Sequence, residues 1–172
     1  WFVILLAAGI LLLGACGQEE EEKENVYQVY CVSNSETRVE MHAVEMTTSE
    51  PEEQLKELMR CLSTNPEKLE YKAPFAMGFQ VLNTELKEGS LVINVDAAYR
   101  ELPVHTEVLV RAAIVRTLTQ LPEVKLIMIT VEGEQLIDSK GNAVGWMNAE
   151  QFINNDGNEI NTYEMVRVKL YF

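Results

Sequence analysis

The chain has 172 residues, with 14 Lys and Arg against 27 Asp and Glu, and a formal net charge of -13 at pH 7. That excess of negative charge argues against nucleic acid and against a basic, anionic-lipid-binding face, since both polyanions repel it. The length suits one well-formed core and is too short for two ordinary domains.

Residues 1–15 are all apolar or glycine, and the first ionisable side chains come at Glu19 to Glu22. A membrane-crossing helix needs ~20 apolar residues, so the stretch reads as the hydrophobic part of a cleaved export signal whose basic start lies ahead of Trp1. It ends on Leu13-Gly14-Ala15-Cys16. Small residues before a cleavage point are ordinary, but a cysteine directly after them is not. The four residues resemble the bacterial lipobox, which implies that Cys16 receives a diacylglyceryl group and becomes the mature N-terminus. Two acyl chains hold stably in a bilayer where one is marginal. Residues 16–25, rich in glutamate, read as a solvated, self-repelling tether.

Residues 26–32 (VYQVYCV) and 37–46, separated by Ser33-Asn34-Ser35, are β-branched and aromatic and predict a hairpin. A helix signature follows, with Ser49 and Glu52 as a capping box, Pro51 in the first turn and acidic residues complementing the dipole. Leu55, Leu58, Met59 and Leu62 form its apolar face, Glu52 and Lys56 pair on the other, and the helix stops near Ser63 ahead of Asn65-Pro66. Residues 78–86 and 91–96, around Lys87-Glu88-Gly89-Ser90, predict a second hairpin with Leu91, Ile93 and Val95 facing the core. Residues 104–121 form a largely buried helix with Glu107 and Arg111 paired, stopped at Leu121-Pro122. Residues 125–131 (KLIMITV) read as an interior strand. A short helix capped by Asn148 and Gln151 comes next. The expected fold class is α+β, with two helices packed on one face of a mostly antiparallel sheet and an N-terminal hairpin ahead of them.

Residues that carry chemistry are sparse. His42 and His105 are the only histidines, and neither sits in a metal-ligand spacing. Asp96 at a strand end is the residue type of a general base but reads more simply as a solvated cap. Asp138-Ser139-Lys140-Gly141-Asn142 and Asp156-Gly157-Asn158-Glu159 lack the ligand spacing of a calcium loop and read as turns. Neither a phosphate-cradling loop nor a nucleophile motif is present in the sequence. The expectation is therefore no catalytic residue, no metal site and no cofactor. Cys31, in a strand, and Cys61, on a helix, are a candidate disulfide, with two small buried hydrophobic side chains as the alternative.

The acidic-led helix, the strand EGSLVINVD, the helix VLVRAAIVRTLTQLPEVK and the segment ITVEGEQLIDSKGNAVGWMNAEQFINN resemble the GerMN domain of spore-germination and sporulation lipoproteins. The matching motifs are Arg111-Ala112-Ala113, Leu118-Thr119, Leu121-Pro122, and Val131-Glu132-Gly133 ahead of Asp138-Ser139. The helix-strand-strand-helix-strand order is also similar to the ring-building motif of sporulation and secretion-channel proteins. The resemblance implies residues 26–160 as a GerMN-like domain and a non-enzymatic, lipid-anchored scaffold in sporulation, germination or cell-envelope assembly. Its location would be the outer face of a Gram-positive cell membrane, held through Cys16, with protein partners or self-assembly in the envelope. A module binding a cell-wall glycan or small ligand is the alternative. Leu170-Tyr171-Phe172 is similar to Val29-Tyr30-Cys31, so residues 161–172 are expected to start a second GerMN-like domain, with a closing edge strand as the alternative.

Overall fold

The computed structural model describes residues 25–67, 70–155 and 159–162. The expected signal, residues 16–24 of the expected tether with Cys16, residues 68–69, the expected turn at Asp156-Gly157-Asn158 and residues 163–172 lie outside them. Strand β1 (Val26–Ser33) pairs antiparallel with β2 (Val39–Glu45) in the register Val26 to Glu45 through Val32 to Val39. Helix α1 (Pro51–Ser63) follows, then the short β3 (Tyr71–Lys72), which joins the far end of β1 at Val32 and Ser33. β4 (Val81–Lys87) and β5 (Ser90–Val95) form the second hairpin, helix α2 (Val104–Leu118) crosses over, and β6 (Leu126–Val131) returns parallel to β5. β7 (Glu134–Gln135) turns back on β6, and β8 (Phe152–Asn155) pairs with β9 (Glu159–Thr162).

The class is α+β, as expected, but the strands form two main sheets and not one: β2-β1-β3 and β4-β5-β6-β7. Their inner faces share one core. Val29 and Cys31 of β1, Leu58 and Leu62 of α1, Leu91, Ile93 and Val95 of β5, and Ile127, Ile129 and Val131 of β6 belong to a single buried cluster. Helix α2 supplies its centre. Leu109, Val110, Ala112, Ala113, Ile114, Val115 and Leu118 are all buried, the pattern of a helix enclosed on nearly every side.

Local boundaries moved for identifiable reasons. Ser49 does not cap α1; the N-cap is Glu50, without a side-chain cap bond, while Thr48 Oγ1 accepts the Glu50 N–H at 3.0 Å. Lys56 pairs with Glu53 at 2.6 Å instead of with Glu52. Helix α2 ends at Leu118, and the Leu121 N–H turns back to the Leu118 carbonyl ahead of Pro122. The capping box at Asn148 and Gln151 is present, on a single 3₁₀ turn that leads directly into β8.

Two Glu-Gly pairs make the tight corners of the second sheet. Glu88 and Gly89 have φ of 51° and 83°, and Glu132 and Gly133 have 52° and 84°. Two successive positive φ values define the two-residue turn whose twist matches flanking antiparallel strands. The first links β4 to β5 and the second β6 to β7.

Candidate interaction surface

The residues weighed for chemistry have structural partners. Asp96 Oδ1 accepts the Gln80 N–H at 3.1 Å, and the Asp96 N–H returns to the Gln80 carbonyl, so this carboxylate closes the mouth of the β4–β5 hairpin. His42 is half-buried on β2, and His105 is exposed in the first turn of α2. Asp138 accepts backbone N–H bonds from Asn142 and Lys140 at 2.8 and 2.9 Å, and these bonds, Asn142 first, hold its carboxyl below the usual carboxylate range. That is the turn expected from its sequence. Cys31 and Cys61 are free thiols, the first buried and the second partly so. Among the described residues no group of three or more His, Cys, Asp or Glu side chains converges on a metal-sized site.

A cleft of about 430 Å³ opens beside Glu36, Asn65, Lys72, Met77, Pro103 and Thr106. Glu36 stands at φ 53° in the β1–β2 turn and accepts from Thr106 Oγ1 and from Lys72 Nζ at 3.1 Å. Those bonds, Thr106 first, hold its carboxyl below its ordinary range. Sequence reasoning missed this link, because the three residues are far apart in the chain and only the fold brings them together.

The sheet edges differ more informatively. In the first sheet the edge of β1 beyond β3 is occupied by side chains of α2 and of the residues just after it. Thr117 Oγ1 accepts the Tyr30 N–H at 3.0 Å, and the Gln120 amide bonds both the N–H and the carbonyl of Gln28. In the second sheet β7 is a two-residue edge, and Met147 forms a bridge to β6 at Ile127. The edge at β4 is long. Six of its seven residues are exposed, and among the described residues no strand pairs with its outer side.

Leu82 and Leu86 are exposed on β4, at 53% and 38%. Leu86 and Thr84 lie opposite Leu91 and Ile93, on the core-side face, whereas Asn83, Glu85 and Lys87 oppose Asn94, Val92 and Ser90 on the outer face. A bulge between Val81 and Asn83 places Leu82 at the break. Bulges and charges are the usual means of limiting uncontrolled pairing along an open edge, and β4 combines both with two exposed leucines. What the surface offers chemically is a row of backbone donors and acceptors with apolar side chains beside it, suited to an added strand.

The family model for Germane, described as sporulation and spore germination, matches residues 28–137. The chain belongs to this family. The fold of the Germane chain is similar to the first GerMN domain of the sporulation protein GerM from Bacillus subtilis, with a TM-score of 0.55 and 15% identity over 70% of this chain and 93% of that one. It is also similar to the tandem GerMN domains of the same protein, with a TM-score of 0.52 and 18% identity, covering 81% of this chain and 46% of that structure. The chain thus spans just under half of the tandem pair. No curated protein matches it significantly. At these identities the likeness carries the fold, and it agrees with the GerMN resemblance read from the sequence.

Proposed function

We propose that this Germane chain is a non-enzymatic, lipid-anchored scaffold on the extracytoplasmic face of the cell membrane, acting in sporulation, spore germination or envelope assembly. It would be the first of two tandem GerMN-like domains. The family supports the setting, and Leu13-Gly14-Ala15-Cys16 after an apolar stretch supports the anchor. The observation that carries the scaffold reading is the open β4 edge with Leu82 and Leu86 exposed along it. An edge of this kind recruits another protein chain more readily than a sugar, which needs a polar cleft with aromatic walls. Confinement on a membrane through Cys16 would raise the effective concentration of partners without any new contact, offsetting the repulsion between copies at a net charge of -13.

A photo-crosslinking side chain at Leu82, introduced into the full-length protein in cells, tests this. Discrete crosslinked protein species, lost when Leu86→Lys is added, are expected. Capture of glycan in place of protein would overturn the scaffold reading in favour of the wall-binding module. Cys16→Ala should separately move the protein from the membrane fraction to the medium or leave an unprocessed precursor; unchanged lipid labelling would refute the anchor.

A further inference from the structure

The geometry points to an intramolecular disulfide between Cys31 and Cys61 that fastens helix α1 to strand β1. On β1, side chains alternate between faces, so Tyr27, Val29 and Cys31 share one side. Tyr27 Oη donates to Gln54 Oε1 of α1 at 3.3 Å, which makes this the side facing α1 and fixes a register between strand and helix. From that contact, four strand residues advance ~13 Å to Cys31. Seven helix residues advance ~10 Å to Cys61, with Gln54, Leu58 and Cys61 on one stripe at i, i+4 and i+7. The two elements run in the same direction from the Tyr27–Gln54 contact, because their far ends also meet: Asn65, just past α1, accepts the Ala73 N–H at 2.9 Å directly after β3, and β3 pairs with Val32 and Ser33 at the end of β1. Leu58, fully buried, belongs to the same core cluster as Cys31, and Cys61 packs against that cluster. An independent sign of proximity is that the Cys31 thiol, pushed up to about 11 chiefly by burial, is raised further by Cys61.

The chemistry is thiol–disulfide exchange. Cys61, the more exposed thiol, loses its proton and attacks an external disulfide donor, giving a mixed disulfide and releasing one donor thiol. The Cys31 thiolate then attacks the Cys61 sulfur. The Sγ–Sγ bond forms, the mixed disulfide breaks, and the second donor thiol leaves. The chain loses two electrons and two protons, and the donor disulfide is reduced to two thiols. In the cell the inference rests on the extracytoplasmic location proposed above, because disulfides persist in oxidising compartments; the geometry itself does not.

The full chain carrying Cys16→Ala, which leaves Cys31 and Cys61 as its thiols, is equilibrated with a glutathione redox buffer, quenched in acid and labelled with a maleimide polymer in denaturant. The expected product is a monomer lighter by two hydrogens that takes no label before reduction and two labels after it. Its urea midpoint should exceed that of its own reduced form, and peptide mapping should join Cys31 to Cys61. Two glutathione adducts, disulfide-linked dimers or persistently free thiols at oxidising ratios would overturn the proposal. Cys61→Ala, at a partly exposed position, provides the unlinked control if Cys31→Ala fails to fold. The same labelling of protein from membrane fractions reads the state in cells: blocked thiols support the disulfide there, and free thiols on membrane-localised protein refute it. Recovery in the cytosol with free thiols would instead count against the localisation, with the glutathione result still deciding the crosslink.

Discussion

Gln120 and Gln28 hold one another as two peptide groups of neighbouring strands would. Gln120 Oε1 accepts the Gln28 N–H at 2.9 Å, and Gln120 Nε2 donates to the Gln28 carbonyl at 2.6 Å. A primary amide carries both a donor and an acceptor, so a single side chain just past α2 completes a strand edge that β3 is too short to cover. Arg116 adds to the seal, lying 4.2 Å over the Tyr30 ring and donating to its hydroxyl at 3.2 Å. The consequence is an asymmetry between sheets: β1 is closed by helix side chains, and β4 stays open.

Gln120→Leu should therefore cost ~1–2 kcal/mol, since two half-buried backbone groups lose their partners and water replaces them only in part. Urea denaturation at constant m-value checks it. A loss below ~0.5 kcal/mol, the range of an ordinary surface change, would mean that water satisfies Gln28 fully.

Gly89→Ala is expected to be disproportionately harmful for a surface glycine. At φ 83° an alanine is strained, and its Cβ would sit 3.2 Å from the Lys125 side chain. The Gly89 carbonyl also accepts the N–H groups of Lys125 and Leu126, so the turn sets where β6 begins. The loss should be ~1 kcal/mol or more, while Lys125→Ala combined with Gly89→Ala recovers only the contact part. A thermal melt of the two variants separates strain from contact.

How much of this was legible in the sequence depends on the range of the interaction. Local signals located α1, α2, β1, β2, β4, β5 and β6: composition and turn residues marked the strands of the two hairpins, and Leu91, Ile93 and Val95 alternate with half-buried neighbours as written. The Glu107–Arg111 pair was legible for the same reason, being one helical turn apart. The split into two sheets was not, since nothing local distinguishes a β1 that pairs with β3 from one that pairs with β5. Strand β7 was hidden just past Glu132-Gly133, a pair that the family motif marked without revealing it as the same positive-φ corner as Glu88-Gly89. The Glu36–Thr106–Lys72 link and Gln120 on β1 join residues remote in sequence, and polar side chains of these types would ordinarily be assigned to solvent. Tyr99 gave no signal either; its burial inside a 3₁₀ turn follows from edge-on packing with Phe79, ring centres 4.8 Å apart.

The Glu36 link predicts a pH dependence. Its folded carboxyl is lowered by the Thr106 hydroxyl first and by Lys72 second. A carboxyl lowered on folding contributes stability above its unfolded value and loses it as pH falls through the lowered folded value. Stability should thus decline on acidification below the ordinary carboxylate range, and Thr106→Val should reduce the slope there while leaving the alkaline limb unchanged. Because the Glu36 side chain is 26% exposed, solvent screening keeps the effect small. Equal acid slopes in both proteins would assign the dependence to other carboxylates.

Arg111 offers the sharpest test of the interior. Its Nε lies 2.7 Å from Glu107 Oε1, an ion pair whose alignment falls short of a hydrogen bond, with side chains only 12% and 15% exposed. The same Glu107 oxygen accepts from the hydroxyl of the fully buried Tyr99 at 2.9 Å. Burial first, and then the neighbouring Glu107 charge, push the Tyr99 phenol well above its ordinary value, so it stays a neutral donor. Removing Glu107 leaves a guanidinium and a phenol without their shared acceptor in a nearly dry site. Glu107→Leu alone should accordingly cost ~3 kcal/mol or more, as breaking one partner of a buried pair does. Replacing the set by apolar groups of similar size, Tyr99→Phe with Glu107→Leu and Arg111→Met, should recover most of that loss, because no stranded polar group remains. Urea midpoints of the single, double and triple variants give the coupling directly. Additive losses, with the triple variant the least stable, would mean that the network holds α2 by net attraction and not by mutual satisfaction of groups that burial has already desolvated.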